Sequence, residues 1–251
     1  MVFLKNRIKI TPILEMLSFL LLIFFSIQAQ LFGQSDKVEY YKNMFKVECA
    51  DEKITDNFGN GFDSLYGTRN MRTILFGIAY RGGANNYYNK NIKRDNHNPL
   101  PDEGLKNLAM LGFSTAVYLY GTNFKTAPSF VVNPLTNDTL RYYQIGGNNT
   151  RELRKIMLMV KEVIEDNTKG PIYFHCWNGW HQSGYISAAL LMQFCGLSNE
   201  QAYQYWLDNT DGVNKGYDNV KNLVKSFKPF DDIKINEKTK SEICPCIKSK
   251  K

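Results

Sequence analysis

Apolar residues fall along this chain in two rhythms. Short unbroken apolar runs end in turns, and between them leucines and isoleucines recur at helical spacing. "RTILFGIAYRGG" (72–83) reads as one strand running into a turn, and "STAVYLYG" (114–121) and "GPIYFH" (170–175) read as two more. Asp102 opens a helix with Leu105, Leu108 and Leu111 on one face, closed near Gly112. Thr150 opens a longer one carrying Leu153, Ile156, Met157, Val160 and Ile164. The run around "LTNDT" predicts a hairpin or a pair of short strands. Further helices are expected at 183–195, after a Ser198/Gln201 capping box, and near 216–227. Strands alternating with helices imply an α/β fold: a central, mostly parallel sheet flanked by helices. Residues 30–68 read as an irregular extension, 84–101 as an Asn-rich surface loop, and 231–251 as a flexible Lys-rich tail.

The first 29 residues break this pattern. Lys5, Arg7 and Lys9 precede an apolar stretch from Met16 to Ile27, and Ile27-Gln28-Ala29 offers a cleavage site. This is the layout of a signal peptide, so the protein is expected to be exported, periplasmic or secreted. The membrane enters only if the segment stays uncleaved, since the run is short for a span. Of 251 residues, 31 are Lys or Arg and 24 are Asp or Glu, a net charge of +7. No basic stripe or arginine-rich tract accompanies that excess, so nucleic-acid binding is not expected. Five cysteines are an odd count for an exported chain. Cys195 sits in an apolar run as a buried thiol, and Cys49 is a candidate for a disulfide with the "CPC" of the tail, Cys244 and Cys246. "CPC" has no companion pair of ligands, so neither a metal nor a cofactor is expected.

The fifth cysteine opens "YFHCWNGWHQSGY" (173–185), where a strand passes through a tight loop into a helix. Backbone N–H groups of residues 177–182 would converge there on one point, with the helix dipole behind them, forming an anion cradle. Gly179 at mid-loop permits close approach. The same donors favour a thiolate at Cys176, a nucleophile for phosphoryl transfer, and Ser183 can hydrogen-bond its sulfur. Trp177 and Trp180 either rim this pocket and stack on a ligand or pack beneath the helix.

His175-Cys176, five residues, then Gln182 and Ser183-Gly184, with Gly179 in place, resembles the signature of the Cys-dependent protein tyrosine and dual-specificity phosphatases. "AYRGGANN" (79–86) and "EGLKNLAMLGFSTAVYLY" (103–120) resemble the first-strand and following helix–strand segments of the dual-specificity branch. The resemblance implies a phosphatase-like domain over 69–230. Within it Cys176 and Ser183 would be catalytic, Trp177, Asn178, Gly179, Trp180, His181, Gln182 and Gly184 would form the phosphate-binding loop, and His175 would support the Cys. It also implies that Arg81 supports the fold.

Two departures limit the chemistry. Gln182 stands where the family has an Arg, and it offers one uncharged NH₂ in place of a planar, bidentate fork. Asn148 and Asn149 stand where the resemblance implies a general acid, and an Asn cannot protonate a leaving alkoxide. Asp138 and His181 are the candidate stand-ins for acid and cation. The expected function is therefore capture of a phosphorylated protein or small anionic ligand in the Cys loop, with weak or no turnover. The alternative is an active Cys-thiolate phosphatase whose cation and acid come from elsewhere.

Overall fold

The computed structural model describes residues 34–85 and 99–248. The expected signal peptide and most of the Asn-rich loop, with Tyr87, Tyr88 and Arg94 in it, lie outside the described residues. Six strands form one sheet: β1 (Thr68–Leu75), β2 (Ala79–Ala84), β3 (Thr115–Tyr118), β4 (Phe130–Val132), β5 (Thr139–Gln144) and β6 (Ile172–Cys176). Their spatial order is β1-β2-β6-β3-β5-β4. The four inner strands are parallel, while β1 and β4 close the two edges antiparallel. β1, β2 and β6 are buried at every position, as expected of a sheet covered on both faces. The α/β expectation is met.

Seven α-helices flank it among the described residues: α1 (Gln34–Phe45), α2 (Asp102–Met110), α3 (Thr150–Glu165), α4 (Gln182–Leu190), α5 (Asn199–Asp208), α6 (Asp218–Ser226) and α7 (Glu237–Ile243). α3 starts where expected: the Asn149 side chain caps it by accepting from the Glu152 N–H at 3.0 Å. α4 is buried along its whole length and runs on into a π-turn at Leu191–Cys195. The capping box at Ser198 and Gln201 is present in both directions.

Three expectations are corrected. Residues 72–83 are a hairpin rather than one strand: the chain reverses at Gly77, whose φ of +68° is open to glycine. The 30–68 extension is not irregular throughout, because α1 buries Val38, Tyr41 and Phe45 against the core. Nor is 231–251 loose. Ile233 and Ile243 are fully buried, the Phe76 N–H donates to the Ile243 carbonyl at 2.8 Å, and two disulfides fasten the segment.

Those disulfides join Cys49 to Cys246 and Cys195 to Cys244. Cys195 is thus not a free thiol, because the short α7 brings Cys244 up to the π-turn that carries it. The free cysteine among the described residues is Cys176. Closing separations of 197 and 49 residues removes chain entropy from the unfolded state. Peptide mapping without reductant is expected to recover the pairs 49–246 and 195–244. Cys49→Ala with Cys246→Ala is expected to cost about 2–5 kcal/mol in denaturant unfolding. A different pairing would contradict this arrangement.

Candidate functional site

β6 lies near the middle of the sheet, between β2 and β3, and ends at Cys176. The chain then crosses residues 177–181 and enters α4 at Gln182. What shapes this crossing is backbone packed directly on backbone. The Ala84 N–H donates to the Trp177 carbonyl at 3.0 Å, and Gly83 bridges to Asn178. A methyl group on Gly83 would lie 2.4 Å from the Trp177 oxygen, and one on Gly179, at φ +78°, would lie 2.7 Å from the Gly82 carbonyl carbon. Glycines on both sides are what allow the loop to sit this close. Asn70, itself at φ +49°, donates its amide to the Asn178 carbonyl at 2.8 Å from the other side.

Cys176 is buried, and its Sγ lies 3.5 Å from the fully buried Ser183 Oγ. Above it the helix begins without a capping side chain. The first intrahelical bond runs from the Tyr185 N–H to the His181 carbonyl, so the N–H groups of residues 182–184 have no acceptor within the helix. Gln182, Ser183 and Gly184 are all buried. Buried, uncapped donors beside a sulfur suit an anion. The opening is a cavity of about 600 Å³ walled by Tyr120, Asn148, Trp177, His181, Tyr217 and Asn219, among others.

His175 lies in the core under the loop, fully buried. The Leu100 N–H donates to Tyr142 Oη at 2.9 Å, and Tyr142 Oη lies 2.7 Å from His175 Nε2. His175 Nδ1 lies 3.2 Å from the Cys176 carbonyl. These contacts assign one tautomer: Nδ1–H donates to the carbonyl, and Nε2 accepts from the tyrosine. Tyr118, Tyr142 and Tyr173 stack around the ring. Burial holds its pKa down at about 3, against a small opposing pull from the Cys176 carbonyl.

Gln182 does not point a free donor at the cradle. Its Nε2 donates to the Gly146 carbonyl at 2.8 Å and to Asn148 Oδ1 at 2.6 Å, which uses both hydrogens. It is a strut joining α4 to the 146–148 segment. Asn148 accepts that bond and faces the cavity, whereas Asn149 is occupied as the α3 cap. The site residues thus divide. Cys176, Trp177, Asn178, His181, Gln182 and Asn148 share the cavity wall, and Ser183 and Gly184 lie at the helix start. Gly179 and Trp180 face the supporting layer. The Trp180 indole is buried and donates to Asp211 Oδ2 at 3.1 Å, so the two tryptophans differ in role: Trp177 rims the cavity and Trp180 packs.

The stand-ins fare poorly. Asp138 is exposed in the β4–β5 turn, outside the cavity wall. His181 stacks on Tyr217 with centroids 3.5 Å apart and bonds the Val213 carbonyl through Nε2. Its pKa is lowered, chiefly by burial and further by Arg81 against the pull of that carbonyl, which favours the neutral ring.

A Cys loop set between an inner parallel strand and a helix start is the arrangement that the sequence resemblance implies. Three solved structures are similar to the chain. P. aeruginosa TpbA is 14% identical, with 62% of this chain and 86% of that one covered and a TM-score of 0.41. The core catalytic domain of the PP-IP phosphatase SIW14 from S. cerevisiae is 16% identical, with 65% and 88% covered and a TM-score of 0.42. The Cydia pomonella PTP-2 phosphatase is 14% identical, with 62% and 91% covered and a TM-score of 0.41. No family model and no curated protein matches the chain.

Residues that the sequence reading passes over support the loop from behind. Asp211 receives Trp180, pairs with Lys53 at 2.7 Å and lies 3.7 Å from the buried Arg72. Asn70 carries no motif that could have marked it. The His175 geometry gives a signed pH effect. Between pH 6.5 and about 3 the unfolded chain binds a proton that folded His175 does not, so its contribution to stability is complete above about 6.5 and falls away on acidification. Denaturant unfolding at pH 7 and pH 5 should show wild type losing on the order of 1–2 kcal/mol more than His175→Gln. Equal losses would contradict a buried neutral ring.

Proposed function

We propose that this is an exported phosphatase-like domain that captures a phosphorylated or similar anionic ligand in its Cys loop and turns it over weakly or not at all. The single observation that carries the reading is the start of α4. The N–H groups of residues 182–184, uncapped by any described side chain, open the helix directly after the loop; Cys176 and Gln182 line an open cavity, and the Ser183 hydroxyl lies 3.5 Å from the Cys176 sulfur. Such donors bind an anion through backbone alone. Two disulfides beside one free, buried cysteine support an oxidising compartment, and with it export. No described helix is long and apolar enough to cross a membrane.

Weak turnover follows from what Gln182 and Asn148 do. Gripping the transferred group in its transition state takes charge-assisted donors worth about 1.5–3 kcal/mol each. Both N–H groups of Gln182 are spent on protein oxygens. Missing two such bonds corresponds to about 10²- to 10⁴-fold in rate, and a missing general acid to a similar factor. The two losses are not additive, since the groups act together.

Purified protein is therefore expected to hydrolyse p-nitrophenyl phosphate at least about 10³-fold more slowly than the ordinary enzymatic range of about 1–10³ s⁻¹. On phenyl phosphate, whose phenolate needs a proton to leave, Gln182→Arg alone is expected to raise the rate less than about tenfold, because Asn148 still supplies no proton. Ordinary turnover abolished by Cys176→Ser would overturn the proposal in favour of an active thiolate phosphatase.

A further inference from the structure

We propose that Arg81 is the displaced counter-charge of the anion cradle: a buried guanidinium behind the Cys loop that attracts the ligand's charge through one layer of backbone. This rests on the reading of the loop as an anion site and adds where its positive charge comes from.

Arg81 is fully buried on β2. Its Nη1 lies 3.4 Å from the Trp180 carbonyl, and a methyl group on Gly184 would come within 2.7 Å of that same nitrogen. The guanidinium therefore lies against the last turn of the loop and the first turn of α4. Its Nη2 donates to the Asn209 carbonyl at 3.2 Å, its carbon sits 5.6 Å over the Tyr205 ring, and its Nε has no partner. Among the described residues no carboxylate pairs with it. The nearby acids are engaged elsewhere: Asp211 with Lys53, Arg72 and Trp180, and Asp51 with the Asn209 amide and the Lys248 N–H.

A buried charge answered only by carbonyls and a ring costs stability unless something of opposite sign comes near. The cavity shares that loop and helix start with Arg81: Trp177, Asn178, His181 and Gln182 line it, and α4 begins there without a side-chain cap. An anion seated there would complete the ion pair. Arg81 cannot reach into the pocket and clasp two oxygens, because Trp180 and Gly184 lie between. It raises affinity without supplying the bidentate grip that strengthens at the transition state, so the site gains binding and not rate. Arg81 is thus a positioning residue, and its effect scales with ligand charge.

The test uses two probes of nearly equal shape at pH 7.5: phenyl phosphate, a dianion because its second pKa is about 6, and phenyl sulfate, a monoanion. Titration calorimetry on the full protein is expected to show tighter binding of the dianion. Arg81→Met is expected to weaken phenyl phosphate about 25-fold and phenyl sulfate about fivefold, since the electrostatic free energy doubles with the charge. Arg81→Lys is expected to recover most of both. Equal losses for the two probes, or no recovery with lysine, would overturn the counter-charge and leave the anion site standing. If Arg81→Met does not fold, Arg81→Gln takes its place, with the same charge-scaled losses expected and equal losses for the two probes overturning the proposal. Failure of both probes to bind wild type would remove the anion site and the counter-charge together.

Discussion

The structure depends on the close seating of the Cys loop on β2. Gly83 faces the loop at Trp177–Gly179 and Gly179 faces Gly82 and Gly83, with no room for a side chain at either Gly83 or Gly179, and the Ala84–Trp177 hydrogen bond locks the register. With the loop held there, the cysteine at the end of β6 meets the uncapped start of α4. The two features that suit an anion, a buried sulfur and the uncapped start of a helix, are brought together by that short spacing. The supporting layer continues outward. Arg81 reaches the Trp180 and Asn209 carbonyls, Asn209 donates to Asp51, and Asp51 accepts from Lys248 two residues after Cys246. The Cys49–Cys246 disulfide thus anchors the far end of a hydrogen-bonded chain that ends at the loop.

Within that frame, Gln182 changes what the site can do. A charged fork at this position would turn toward an anion. The glutamine amide instead ties α4 to Gly146 and Asn148, two neutral hydrogen bonds that contribute about 1 kcal/mol each. The joint keeps the 146–148 segment against the pocket but leaves no proton to give and no positive charge to close on a leaving group. On the proposed reading, backbone donors and a buried guanidinium would hold ground state and transition state about equally, giving affinity without acceleration.

β3, β6, the β4–β5 pair, α2, α3, α4 and the loop were readable from residue pattern, because they carry strong local signals: apolar runs, apolar periodicity and a glycine where the backbone must turn. The hairpin of β1 and β2 was not, since both strands are buried on both faces and the turn at Gly77 sits between Phe76 and Ile78 with no polar punctuation. α1 escaped notice because only Val38, Tyr41 and Phe45 of its twelve residues are buried. The tail reads as loose from its lysines, while what holds it is Ile243 and two cysteines whose partners lie 49 and 197 residues away. At the site, residue type marked Cys176 and Ser183, but the direction of the Gln182 amide and the solitude of Arg81 exist only in three dimensions.

The most direct measurement is a crystal structure of the protein soaked in tungstate. The account predicts one oxyanion over the Cys176 sulfur, its oxygens about 3 Å from the N–H groups of residues 182–184, with Gln182 still bonded to Gly146 and Asn148. A saturating soak that leaves the loop empty, or that finds the Gln182 amide or an indole filling its centre, would contradict it.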